Sequence, residues 1–171
     1  QISIDEAFLD VSDLRPPAEA IARELQAAIW DELGLPCSLG VATNKLIAKI
    51  ANNVGKAEKR SASPPMAIKV VPPGEEAAFL APLPIGELWG IGPKTAASLE
   101  ALGIHTIGDL ARWPEADLIH RFGKSGADLA QRARGIDDRP VVTEYEAKSL
   151  SRETTFAHDI TDGTTLRRTL L

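Results

Sequence analysis

Cysteine is almost missing from this sequence: Cys37 stands alone, which excludes an internal disulfide and leaves no cysteine cage for zinc. The three histidines, His105, His120 and His158, are too far apart to make a Cys/His cluster. No apolar run approaches the ~18 residues of a membrane-crossing helix, and the opening residues do not read as a signal peptide. A cytoplasmic protein with no membrane partner is the expectation. Aromatic residues are only 5% of the chain. Trp30, Trp89 and Trp113 fall in helical patterns and read as core or interface residues rather than base-stacking platforms, and Cys37 reads as buried. There is no internal repeat and no low-complexity tract. A hydrophobic content of 44% over 171 residues suffices for a buried core.

The net charge of −5 argues against a nucleic-acid partner until its distribution is considered. Residues 1–35 hold eight acidic side chains against two arginines, a net −6. Residues 36–70 hold six basic side chains against Glu58, a net +5. An acidic segment followed by a basic one suits a site that binds cations and phosphates together.

Gln1-Ile2-Ser3-Ile4 reads as the tail of a strand with no Met start, so residues are expected to be missing before Gln1. Pro16-Pro17 can start a helix with Ile21, Leu25, Ala28 and Ile29 on its apolar stripe, ended by Gly34 and packed on a sheet. Cys37 to Val41 reads as a strand. Thr43 or Asn44 then caps a helix to about Val54, and Met66 to Val71 forms another strand, together a βαβαβ-like layer. Beyond residue 74 the pattern changes to short helices over about 75–80, 85–89, 93–101, 107–112, 115–121 and 124–134, with Gly103 and Gly135 as C-terminal caps. Residues 141–150 read as an extended linker. Residues 151–156 have β character, and a further helix follows.

Ser3-Ile4-Asp5-Glu6-Ala7-Phe8-Leu9-Asp10 carries the first candidate chemistry. Successive side chains of a regular strand face opposite ways, so Asp5 and Glu6 can share a metal only where the strand turns, and a hairpin tip would satisfy this. Two hard carboxylates are a usual protein contribution to Mg²⁺. A solvated turn is the competing reading. The string as it stands resembles the palm motif of Y-family, DinB-like DNA polymerases. That resemblance implies that Asp5 and Glu6 are catalytic ligands of two Mg²⁺ ions, Asp5 shared by both and Glu6 serving the ion that activates the primer 3′-hydroxyl. A further aspartate of the family motif has no match here.

At 100° per residue, Lys45, Lys49, Asn52 and Lys56 share one helical stripe opposite Leu46, Ile50 and Val54. Such a stripe is either a solvated face or a phosphate-facing one. Asn44-Lys45-Leu46-Ile47-Ala48-Lys49-Ile50-Ala51 also resembles the Y-family, whose pattern implies that Lys56 binds the nucleotide triphosphate. The family continues with Lys-Pro-x-Gly, whereas Lys56 is followed here by Ala57-Glu58-Lys59.

Leu88-Trp89-Gly90-Ile91-Gly92-Pro93-Lys94-Thr95 places two short helices around a glycine turn, with Pro93 suited to the first helical position. Backbone N–H groups at such a helix start can hold a phosphate without reading bases. A dinucleotide-binding fingerprint is disfavoured, since no strand precedes it and Thr95 stands where a third glycine is needed. A purely structural turn competes. The stretch resembles the helix-hairpin-helix of DNA polymerases, ligases and repair proteins, which makes Gly90, Gly92, Lys94 and Thr95 the DNA-binding candidates. Phe122-Gly123-Lys124 and Ala133 to Asp138 resemble the end of the Y-family thumb, and Ser149 to Phe156 the start of its little finger.

The fold expected is therefore an α/β palm remnant, a sheet with packed helices, over residues 1–73, and an all-α helix-hairpin-helix thumb over 74–140. A linker at 141–150 would lead to the start of an α/β little finger at 151–171. The resemblance implies template-directed nucleotidyl transfer in translesion synthesis and DNA repair, with primer-template DNA and dNTP as partners, in a monomer. Contact with a sliding clamp would use a region outside this chain. The chain alone is expected not to extend a primer. Two alternatives stay open: a non-catalytic Y-family-like scaffold, and a plain DNA-binding helix-hairpin-helix module.

Overall fold

The computed structural model describes residue 3 and residues 5–59, 64–143, 153 and 155–170. Apart from Ser3, the expected strand tail before Asp5 lies outside the described residues, as do most of the linker and half of the β-like segment at 151–156. The described chain separates into two units, Gln1–Val141 and Val142–Leu171.

In the first unit, helix α1 (Ala18–Leu33) follows Pro17 and stops where Gly34 takes a left-handed turn and its N–H donates to Trp30 O. Strand β1 (Leu39–Val41), helix α2 (Lys45–Glu58) and strand β2 (Ile68–Val70) come next. The two strands are parallel, with Leu39 opposite Ile68 and Val41 opposite Val70. Parallel neighbours need a crossover, and α2 supplies it. Among the described residues the sheet has these two strands, so the unit is a single βαβ rather than the longer βαβαβ-like layer expected.

Asn44 caps α2, its side chain accepting the Ile47 N–H at 3.0 Å. The helix runs one turn past Val54, which puts Lys56 in its last turn. Leu46, Ile47, Ile50 and Ala51 are buried. Helix α1 also packs on the sheet, but loosely: Ile21, Leu25 and Ile29 are half-buried, Ala28 is exposed, and Trp30, expected in a core or an interface, is 48% exposed.

Helices α3 (Glu76–Leu80), α4 (Pro93–Glu100), α5 (Ile107–Arg112), α6 (Glu115–Phe122) and α7 (Lys124–Ala133) complete the unit. The expected helix at 85–89 is a 3₁₀ turn over Ile85–Glu87, and Trp89 lies in the turn that follows. Ile85 N–H donates to His105 O and Ile107 N–H to Leu83 O, both at 2.9 Å, which ties the hairpin region to the start of α5. After α4, Ile104 N–H reaches Leu99 O, and after α7, Ile136 N–H reaches Gln131 O, the closing bonds of Schellman turns at Gly103 and Gly135. One core cluster joins the α/β part to the helical part, from Leu46 and Ile50 through Leu80, Leu99 and Leu110 to Leu118 and Leu129. Each fully buried Leu or Ile contributes about 1.5–3 kcal/mol.

Residues 135–140 return to the start of α2. Asn44 Nδ2 donates to Gly135 O at 2.9 Å, Leu46 N–H to Asp137 Oδ2 at 3.1 Å, and Lys45 Nζ to Pro140 O at 2.7 Å. Arg139 grips the same carboxylate through Nε and Nη2 at 2.6 and 2.9 Å. Burial pushes the Asp137 carboxyl up, yet Arg139 and the Leu46 N–H outweigh it and hold the group below the ordinary value. A carboxyl depressed by folding stabilises the fold above its unfolded pKa, and that contribution is lost as pH falls through the folded pKa. Unfolding free energy is thus expected to drop below about pH 4. Asp137→Asn should lower the neutral value and flatten the drop in urea titrations; an unchanged pH profile would contradict the role given to this carboxylate.

In the second unit, helix α8 (Gly163–Leu170) is capped by Asp162, whose carboxylate accepts the Thr164 and Thr165 N–H groups and the Thr165 hydroxyl.

Candidate functional site

The segment carrying Asp5 and Glu6 is a bend followed by irregular chain, and no hairpin forms there among the described residues. Ser3 N–H donates to Glu6 O at 3.4 Å. This correction has a simple cause: β1 and β2 pair with each other, and among the described residues no strand partner reaches residues 6–11. The Ser3 hydroxyl donates to Asp5 Oδ1 at 2.6 Å and, with the nearby charges of Lys56 and Lys49, holds the Asp5 carboxyl below its usual range. Glu6 is half-buried and forms an ion pair with Lys49. Asp10 turns away, its carboxylate accepting the Ser12 N–H at 3.0 Å and hydroxyl at 2.6 Å.

Asp5, Glu6, Lys49, Asn52 and Lys56 all line one cleft of about 720 Å³ between the 5–11 segment, α1, β1 and α2. The acidic segment and the basic stripe inferred separately from the sequence thus meet. Lys49 and Asn52, expected only as members of the stripe, join Asp5, Glu6 and Lys56 in lining it. Asn52 Oδ1 is buried with no hydrogen-bond partner among the described residues. The far wall is apolar, formed by Phe8, Ile21, Leu25 and Ile29. Cys37 also lines it, half-buried rather than buried, and burial raises its thiol pKa. Among the described residues no group of three or more His, Cys, Asp or Glu side chains gathers as a metal cage, so Asp5 and Glu6 offer a two-carboxylate set. That set fits a hard cation that completes its shell with water and phosphate oxygens.

The glycine hairpin forms a second feature. Gly90 has φ +98°, a conformation that a side chain resists, and a Cβ there would lie 2.7 Å from the Arg132 guanidinium. Gly92, at φ −83°, starts α4 with no side-chain cap, and a Cβ on it would meet nothing within 4 Å. Nothing in the chain itself requires glycine at 92; the open space faces outward. Lys94 is exposed and Thr95 half-buried in the first turn of α4. Arg132, on α7, was not legible as a neighbour of this loop, because 42 residues of sequence separate it from Gly90.

Trp89 links the two features. Its ring lies 5.7 Å from that of Phe8, two residues from Glu6, and the Arg139 guanidinium sits 5.0 Å over it. Among the described residues no helix is long and apolar enough to cross a membrane.

The chain is similar in sequence and fold to known proteins. The family described as impB/mucB/samB matches residues 1–53, and the IMS family HHH motif matches residues 73–104. DNA polymerase IV of Methanoculleus marisnigri is 46% identical over 172 residues, covering 99% of this chain and 46% of that protein. The chain therefore spans about half the length of such relatives. The crystal structure of DinB from Sulfolobus solfataricus superposes with a TM-score of 0.61 at 30% identity, over 72% of this chain and 34% of that one. The insertion ternary complex of Dbh DNA polymerase gives the same TM-score, identity and coverage.

Proposed function

Because the chain belongs to the Y-family of DNA polymerases, we propose that it serves template-directed DNA synthesis, binding nucleotide triphosphate at its acidic-basic cleft and duplex DNA at its glycine hairpin. The observation that carries this reading is the meeting of Asp5, Glu6, Lys49 and Lys56 round one cleft. Residues 1–73 act as the palm and 74–140 as the thumb; residues 141–150 link them to the start of a little finger at 151–171. Primer-template DNA and dNTP are the partners, in translesion synthesis and repair in the cytoplasm.

Two Mg²⁺ ions, when bound, would supply charge that lowers the pKa of the primer 3′-hydroxyl and neutralises the leaving pyrophosphate. Asp5 and Glu6 would hold them. The chain's own work is positioning. Lys56, in the last turn of α2, can reach the triphosphate. Lys49, paired with Glu6, holds that carboxylate at the cleft. Phe8, Ile21 and Leu25 give the cleft an apolar side opposite its charged groups.

At the hairpin, the backbone N–H groups of Gly92, Lys94 and Thr95 and the Lys94 ammonium bind duplex phosphates. Affinity should accordingly fall steeply with salt and depend little on sequence. Lys94→Ala is expected to weaken all duplexes alike and reduce the salt slope by about one. Gly92→Val should weaken binding by placing a side chain in the outward gap. Anisotropy titrations with fluorescent duplexes test both. Strong sequence preference, or unchanged binding by Gly92→Val, would contradict the hairpin's role.

A further inference from the structure

The 135–140 segment joins both parts of the proposed site, yet it touches neither the cleft carboxylates nor the hairpin glycines. Asp137 is the pivot. Its side chain is only 3% exposed, and it accepts the Leu46 N–H at the first turn of α2 while Arg139 binds both its oxygens. The guanidinium, so fixed, lies 5.0 Å over Trp89, next to Gly90. Trp89 in turn meets Phe8 at 5.7 Å. One carboxylate therefore clamps the start of the basic helix to the base of the hairpin, and the contacts continue from the guanidinium to the indole and from the indole, tilted at 51°, to the Phe8 ring of the Asp5-Glu6 segment.

Such a clamp has a geometric consequence. A duplex held by the hairpin phosphates presents its primer end at a fixed offset, and reaction demands that this end meet the cleft within a fraction of an ångström. Surface ion pairs are usually weak, but this carboxylate is buried, doubly bonded and charge-assisted on both sides. It is suited to fixing direction.

Resting on the polymerase reading above, we propose that Asp137 and Arg139 are positioning residues, which hold the helix-hairpin-helix and the Asp5-Glu6 segment in one frame so that bound primer ends reach the cleft. Neither touches a reacting atom. Their loss should leave duplex binding in place and misplace the primer terminus.

The test uses the 171-residue chain and a primer-template with a photoreactive group on the primer's 3′-terminal base. Arg139→Gln should keep duplex affinity within about threefold while cross-linking to residues 5–11 falls about tenfold or more. Arg139→Lys, which keeps a cation and one bond to Asp137, should recover part of it. Should Arg139→Gln lose its cooperative melting transition, the isosteric Asp137→Asn is read the same way. Wild-type cross-linking by the variants would overturn the proposal. So would a wild-type chain that binds duplex but cross-links elsewhere, without touching the binding role of the hairpin. A wild-type chain that binds no duplex would overturn the polymerase reading and this one with it.

Discussion

Glu6→Ala is expected to slow nucleotide incorporation by orders of magnitude while leaving nucleotide affinity largely intact. The measurement is single-turnover incorporation by a chimera in which this chain replaces the matching 46% of the Methanoculleus marisnigri DNA polymerase IV. A carboxylate that serves only the hydroxyl-activating ion acts on the chemical step, and removing one such electrostatic group typically costs about 10²- to 10³-fold. Each tenfold is about 1.4 kcal/mol of barrier. Asp5→Ala should be broader in effect, since a ligand shared by both ions lowers nucleotide binding as well as rate. Asp10→Asn is the control, because that carboxylate is committed to Ser12. Wild-type rates in the Asp5 and Glu6 variants would remove both from the catalytic centre. A collapse confined to Asp10 would move the metal site to the opposite side of the segment.

Gly40→Val should strongly destabilise the α/β part. A Cβ at Gly40 would lie 1.9 Å from Ala48 O and 2.7 Å from Asn52 N, both backbone atoms of α2 that cannot swing aside. The helix must lift from β1, carrying Lys49 and Lys56 with it. Overpacking of this kind costs about 1–3 kcal/mol and sometimes more, and a total stability of about 5–15 kcal/mol leaves little reserve. Urea unfolding should show a midpoint well below wild type. A change within about 0.5 kcal/mol would mean that α2 is not seated on this strand.

The sequence made some elements plain and hid others for physical reasons. Helix α5 was legible to the residue because Thr106 and Asp109 form a capping box and Trp113 turns to extended backbone. Asn44 announced the start of α2, but not its end: the helix, expected to about Val54, continues to Glu58, with Gly55 lying close against Ala67 and Lys69. The turn at Ile85–Glu87 lacked the length to separate 3₁₀ from α. Asp5, Glu6 and Lys56 were visible as chemistry, and their shared cleft was not, since periodicity carries no information about contacts between distant segments. Asp137 and Leu46 are 91 residues apart, and nothing in either local pattern announces the pair. Trp89 read as helical from its neighbours and instead occupies a turn that brings Phe8 and Arg139 together.

Binding of Mn²⁺ to this chain, followed by electron paramagnetic resonance with and without a dNTP, tests most directly whether the acidic segment and the basic helix form one metal and nucleotide site. The dNTP should strengthen Mn²⁺ binding in the wild-type chain, because Lys49 and Lys56 bring phosphate oxygens beside Asp5 and Glu6, and the enhancement should vanish in Asp5→Ala/Glu6→Ala and shrink in Lys56→Ala. An enhancement that survives loss of both carboxylates, or none in the wild type, would contradict it.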